Sequence, residues 1–140
     1  YSNNDLTIKQ RSPAKEFWIN LADRLAKESY HVMQFGHPKS EKLESRNIED
    51  CRDLTLFEMV REILGCEMLI SGDTGASHLI NSYGFPAICL YSQYKNDHKN
   101  NPTAFLPVNY KNNLISIQGV PDINSIEVEK VLEAVKQLNS

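Results

Sequence analysis

The sequence is short of most features that would place it in a special class. It has no apolar run of 18 residues and no leader-like stretch, so nothing in it reads as a membrane span or a signal peptide. Its three cysteines, Cys51, Cys66 and Cys89, are odd in number and scattered, with no C-x-x-C, which argues against a disulfide framework and a zinc site. Cys66 and Cys89 stand inside apolar runs, where a small buried hydrophobe is expected, and free thiols of this kind point to a reducing, cytoplasmic setting. Basic residues are not in excess. Fifteen Lys and Arg against 18 Asp and Glu leave a formal charge of −3, which argues against a nucleic-acid binder working by bulk charge. Neither G-x-S-x-G nor G-x-x-x-x-G-K-[ST] occurs, and no carboxylate cluster suits a divalent ion, which disfavours hydrolase, P-loop and metal-site readings. No internal repeat or low-complexity tract appears.

What is there is globular. The 140 residues are 41% hydrophobic and 24% charged, a balance suited to one soluble domain. A domain of this length buries roughly two-thirds of its unfolded surface without needing a staple. Strand and helix patterns alternate along the chain. Leu6–Gln10 reads as a short strand. Ser12 has the look of an N-cap with Pro13 at the first helical position, followed by Phe17, Trp18, Leu21 and Leu25 at helical spacing. His31–Phe35 is a second strand, broken by Gly36-His37-Pro38, and Asn47–Cys51 holds a short one.

Thr55-Leu56-Phe57-Glu58 is a capping box; Leu56, Met59, Val60, Ile63 and Leu64 form the apolar face of its helix, and Gly65 ends it. Met68–Ser71 is the next strand. A helix opens at Thr74 or Gly75 and stops at Gly84, and Pro86–Tyr91 reads as a buried strand before a polar loop from Ser92 to Thr103. Leu114–Ile117 is the last strand. Asn124-Ser125-Ile126-Glu127 caps a final helix that turns Val128, Val131, Leu132, Val135 and Leu138 inward. This order predicts an α/β fold: a Rossmann-like parallel sheet with helices on both faces, and ligands at the carboxyl ends of the strands.

The most informative of those ends is Met68-Leu69-Ile70-Ser71-Gly72-Asp73-Thr74-Gly75-Ala76-Ser77-His78. An apolar strand runs into small residues that open a helix, whose free N–H groups and positive dipole end suit a phosphate. Gly75 allows close approach of a diphosphate to the backbone. Asp73 fixes the turn or bonds a sugar hydroxyl. A plain helix cap at Asp73 or Thr74 explains the same letters about as well. His31 and His37 have no partner at metal spacing, His98 reads as a solvated loop residue, and Tyr91 and Tyr94 suit packing more than stacking on a base or sugar.

Asp73-Thr74-Gly75-x-x-His78-Leu79, set between an apolar strand and Gly84-x-Pro86, resembles the signature of glycosyltransferase family 9, which includes the ADP-heptose heptosyltransferases of lipopolysaccharide assembly. Asp53-Leu54-Thr55-Leu56-x-Glu58 with Gly65-Cys66, and Arg11-Ser12-x-x-Lys15 with Trp18, are similar to two further family segments. The resemblance covers nearly all 140 residues but only the C-terminal half of a typical member. It implies one half of a GT-B enzyme: residues 1–140 as the C-terminal nucleotide-sugar-binding domain, with the acceptor site and catalytic base on an N-terminal domain outside this chain.

By the same resemblance Thr74, Gly75 and His78 contact the diphosphate and Lys15 steadies the leaving phosphate, with Ser12 beside it. Leu54 and Thr55 lie where the family contacts the nucleobase, and Glu41 is a candidate for the ribose hydroxyls. The donor is a nucleotide diphosphate sugar such as ADP-heptose, with no further cofactor. The remaining partners are the acceptor domain and, for the full-length enzyme, a peripheral membrane contact. Two segments depart from the family pattern: Ser92-Gln93-Tyr94-Lys95 stands where a Gly-Pro-Thr-like turn is usual, and Lys15-Glu16-Phe17-Trp18 replaces Lys-x-Trp-Pro. The other function class is a non-catalytic Rossmann-like module that binds a nucleotide or a protein.

Overall fold

The computed structural model describes residues 12–72, 79–80, 82–92 and 113–140. Among the described residues five strands and three full helices run in the order α1 (Lys15–Lys27), β1 (Val32–Phe35), β2 (Ile48–Cys51), α2 (Leu56–Leu64), β3 (Leu69–Ser71), β4 (Ala87–Ser92), β5 (Leu114–Gly119) and α3 (Val128–Leu138). Every strand pair among the described residues is parallel. β1 pairs with β2 from Val32↔Ile48 to Phe35↔Cys51, and β3-β4-β5 form a second sheet with β4 in the middle. The α/β class read from the sequence is therefore the observed one. The expected strand Leu6–Gln10 and the loop from 93 to 103 lie outside the described residues.

β4 is the centre of the core for a reason written in its letters. Ala87, Ile88, Cys89 and Leu90 are each at most 1% exposed. An unbroken apolar run of this kind fits a parallel strand covered on both faces. Trp18, Leu21 and Leu25 of α1 join Val131, Leu132 and Val135 of α3 in the same cluster as Ile88 and Leu90. At the surface Arg24 reaches Glu129 at 3.0 Å and ties α1 to α3, though a pair this exposed contributes little.

Two caps differ from expectation. α1 begins at Lys15 behind Ala14, which has extended backbone and offers no side-chain cap, so Ser12 is not the N-cap. The indole N–H of Trp18 donates to Ser12 Oγ at 3.0 Å and draws that hydroxyl inward, while the Ala14 N–H donates to Asn124 Oδ1 at 3.0 Å. Asn124 is thereby spent on α1 and does not cap the last helix. Instead Ile123–Ser125 forms a 3-10 turn, Asp122 accepts from the Asn124 N–H, and α3 starts at Val128 behind Glu127 with no side-chain cap.

The capping box of α2 is present in both halves: Glu58 N–H donates to Thr55 Oγ1 at 3.2 Å, and Thr55 N–H donates to Glu58 Oε1 at 3.0 Å. These bonds hold the Glu58 carboxyl below its ordinary range. Gly65 closes the helix as expected. Its apolar face is another matter. Only Ile63 is buried, while Leu56 is 66% and Leu64 39% exposed.

His31 also differs, lying just before β1 rather than in it, exposed and bonded to Glu49 of β2 at 2.8 Å. Cys89 is buried as expected, Cys66 is only half-buried, and Cys51 is buried. Burial, and then the Glu49 carboxylate that its thiol donates to at 3.4 Å, pushes Cys51 up to about 11. The unfolded thiol ionises near ~8.5, so unfolding releases a proton between the two values and stability falls as pH rises through that window. The urea midpoint of the wild-type chain should drop more between pH 8.5 and 11 than that of Cys51→Ala, measured by circular dichroism. Parallel curves for the two proteins would show that this thiol carries no such linkage.

Candidate functional site

The carboxyl ends of parallel strands are where loops gather, and the loop after β1 lies wholly within the described residues. Gly36 turns the chain out of the strand at φ 155°, a conformation that L side chains rarely adopt. His37 then organises a tight turn, its carbonyl accepting from Ser40 N–H at 2.9 Å and its Nδ1 from Lys39 N–H at 3.0 Å. Gln34, buried in β1, holds the far side of the loop. Its amide donates to the Glu41 carbonyl and accepts from Leu43 N–H, each at 2.9 Å.

Arg52, one residue past β2, holds the near side, donating to the Ser40 carbonyl at 2.5 Å and the Pro38 carbonyl at 3.4 Å. Its remaining nitrogens form a fork on Asp50 at 2.8 and 3.0 Å, which keeps the Asp50 carboxyl low. Sequence reading missed both residues. The one signal for Gln34 was an amide inside the strand Val32-Met33-Gln34-Phe35.

This clamp presents Glu41 to Lys15, in the first turn of α1, at 3.1 Å. The hydrogen bond and charge of Glu41 raise the Lys15 ammonium above its ordinary value, so it is charged throughout the neutral range. The pair stays 49% and 36% exposed, so solvent screens it and an anion can compete for the lysine at little cost. Two residues singled out from the sequence for separate parts of a ligand thus stand side by side.

The other candidates divide. Ser12 is 5% exposed, with its hydroxyl donating to the Pro13 carbonyl at 3.3 Å and accepting from Trp18; it props the start of α1 from behind rather than facing a ligand. Leu54 is half-buried and lines the same cleft as Gly36, Ser40 and Ser71. Thr55 spends its hydroxyl oxygen and N–H on Glu58. Asp73, Thr74, Gly75 and His78 lie outside the described residues. The frame around them is seen: β3 runs parallel to β4 and ends at buried Ser71, and residues 79–80 and 82 are helical. Among the described residues no group of three or more His, Cys, Asp or Glu is placed to hold a metal ion, and no helix is long and apolar enough to cross a membrane.

Parallel strands joined by helical connections define an α/β domain of the Rossmann-like type. The model of glycosyltransferase family 9 (heptosyltransferase) matches residues 9–133, and the chain belongs to that family. Among solved structures it is similar to E. coli heptosyltransferase WaaC with ADP, at 19% identity over 96% of this chain and 42% of that one, with a TM-score of 0.76. It is likewise similar to E. coli ADP-heptose lps heptosyltransferase II, at 19% identity over 92% of this chain and 42% of that one, TM-score 0.73. A glycosyltransferase of family 9 from Veillonella parvula DSM 2008 shares 16% identity over 96% of this chain and 44% of its own, TM-score 0.71. At such identities the likeness establishes the fold. The chain spans less than half the length of each of these structures. No curated protein matches it.

Proposed function

We propose that this chain is the C-terminal, donor-binding domain of a glycosyltransferase that moves a heptose-like sugar from a nucleotide diphosphate sugar to a glycan acceptor. The observation that carries the reading is the Lys15–Glu41 pair at 3.1 Å, mounted on a loop that Gln34 and Arg52 hold in place. Similar structures were solved with ADP and with ADP-2-deoxy-2-fluoro heptose, which supports a donor of that class.

Donor binding splits the pair. Lys15 turns to the diphosphate and Glu41 accepts from the ribose hydroxyls, the use an acid at this place in a Rossmann-like fold commonly has. Thr74, Gly75 and His78 complete the diphosphate site, Asp73 fixes their turn, and Leu54 and Thr55 flank the base. As the bond from sugar to diphosphate breaks, negative charge grows on the leaving group, and Lys15 stabilises it more strongly then than in the ground state. The base that deprotonates the acceptor hydroxyl comes from an N-terminal domain, which also supplies the second wall of the cleft and any contact with a membrane surface.

Missing parts set the test. Positioning of the nucleophile is worth roughly 7–11 kcal/mol of barrier, and one wall cannot provide it. In a donor-plus-acceptor assay the isolated chain should transfer no sugar, and adding the N-terminal domain should restore transfer. Robust transfer by these 140 residues alone would place the chemistry elsewhere.

A further inference from the structure

Lys15 is the first residue of α1, and that helix starts without a side-chain cap of its own. Ala14, at the N-cap position, has no side-chain oxygen to offer. Phe17, three residues on, cannot reach back to the cap as Glu58 does to Thr55 in α2. The Ala14 carbonyl accepts from the Phe17 N–H at 3.1 Å and begins the helix, while the Ala14 N–H takes a partner from elsewhere. That partner is Asn124, whose Oδ1 accepts from it at 3.0 Å across 110 positions of sequence. Asn124 thus supplies, from a distance, one half of the capping box that α1 lacks.

The turn that carries Asn124 is held from several sides. The Asn124 N–H donates to Asp122 Oδ1 at 2.8 Å. Ile123 is 1% exposed, and its N–H donates at 3.0 Å to Oγ of Ser92, the last residue of β4. The Asp122 backbone lies so close to Gly119, the last residue of β5, that a Cβ there would overlap it. Ser92 and Gly119 are register partners. The turn is therefore pinned to the carboxyl ends of two core strands, and Asn124 carries that fixed position to the residue before Lys15.

We propose that Asn124 is a positioning residue: through Ala14 it holds the first turn of α1 so that the Lys15 ammonium meets Glu41. The body of the helix does not need it, because Trp18, Leu21 and Leu25 are anchored in the core. The first turn does. Two tethers set the 3.1 Å contact, Gln34 and Arg52 on the Glu41 side and Asn124 on the Lys15 side. The consequence for sugar transfer rests on the role proposed for Lys15 at the leaving phosphate. Misplacing such a group by about 1 Å can cost roughly a hundredfold in rate, and loosening one turn should cost part of that.

Asn124→Ala tests this by two separate readouts. In the 140-residue chain without donor, acetylation of Lys15 by an N-hydroxysuccinimide ester is followed by mass spectrometry, with exposed Lys136 as the internal reference. It should run at least about threefold faster than in the wild type, because an ammonium released from Glu41 gives up its proton more readily. Asn124→Asp keeps the accepting oxygen and should bring the rate back to near that of the wild type. Asn124→Ser, polar but too short to reach Ala14, should behave like the alanine variant and replaces it if that chain does not fold. In the full-length enzyme Asn124→Ala should lower kcat about tenfold with the donor KM within about twofold, and Asn124→Asp should restore it. Lys15 labelled at the wild-type rate in folded Asn124→Ala and Asn124→Ser chains would overturn the proposal, as would a loss that Asn124→Asp fails to restore. Faster labelling with kcat unchanged would uphold the hold of Asn124 on Lys15 and overturn instead the role of Lys15 in transfer.

Discussion

Lys15→Ala in the full-length enzyme should lower kcat about a hundredfold while weakening binding of the nucleotide diphosphate by less than about tenfold. The asymmetry follows from when the charge appears. In the bound donor the diphosphate is already anionic, and on the proposed reading its existing charge is shared among Lys15, Thr74, Gly75, His78 and water. As the sugar departs, a further unit of charge gathers on the terminal phosphate. A cation already in place stabilises that charge without reorganising, and losing one donor of this kind commonly costs 10²–10³ in kcat. Lys15→Arg keeps the charge and should recover part of the loss. Glu41→Gln removes the residue that holds the lysine and, on this reading, a ribose contact, so it should raise KM for the donor and leave kcat nearly alone. Steady-state kinetics set beside calorimetric affinities separates the two effects. Equal losses in affinity and kcat/KM for Lys15→Ala would reduce its role to uniform binding.

Ile88→Ala should remove about 2–5 kcal/mol of stability, a large part of the roughly 5–15 kcal/mol such a domain possesses. Ile88 is fully buried near the start of β4, with Ile70 opposite it on β3 and Ile115 on β5. Truncation loses the transfer energy of the deleted carbons and leaves a cavity between two packed sheet neighbours that have little room to collapse. Phe57→Ala is the control. That ring is 75% exposed on α2, and its loss should change stability by no more than about 0.5 kcal/mol. Urea titrations of both variants check the contrast; similar midpoints would mean that β4 is not the centre of the core.

Local chemistry made much of this molecule legible in its sequence. Thr55 and Glu58 are three residues apart, so their reciprocal bonds are decided within one turn, and both halves of that box are present. The run from Pro86 to Tyr91 read as a buried strand, and β4 (Ala87–Ser92) is one. What stayed hidden depends on partners far along the chain. Asn124 looked like a cap for the helix after it, but its oxygen serves Ala14, 110 residues away. Ser12 looked like a cap too, until the Trp18 indole claimed its hydroxyl.

The candidate site follows the same rule. Lys15 and Glu41 were each singled out through the family resemblance, but their contact depends on the turn at His37 and on the hold of Gln34 and Arg52. Neither of those two residues resembles a ligand-binding group on its own. The apolar stripe of α2 was legible as a pattern, but of its residues only Ile63 is buried, because burial depends on what packs against the helix and not on the stripe.

The proposed binding of a sugar donor's nucleotide diphosphate at Gly75 is tested most directly by a calorimetric titration. The wild-type chain, with a chelator present, should bind ADP with one site per molecule. Gly75→Val should keep the same circular dichroism spectrum and lose at least tenfold in affinity, because a branched side chain stands where the diphosphate must approach the backbone. A folded wild-type chain that binds neither ADP nor any other nucleotide diphosphate, or a folded Gly75→Val that binds ADP as well as the wild type, would contradict the account.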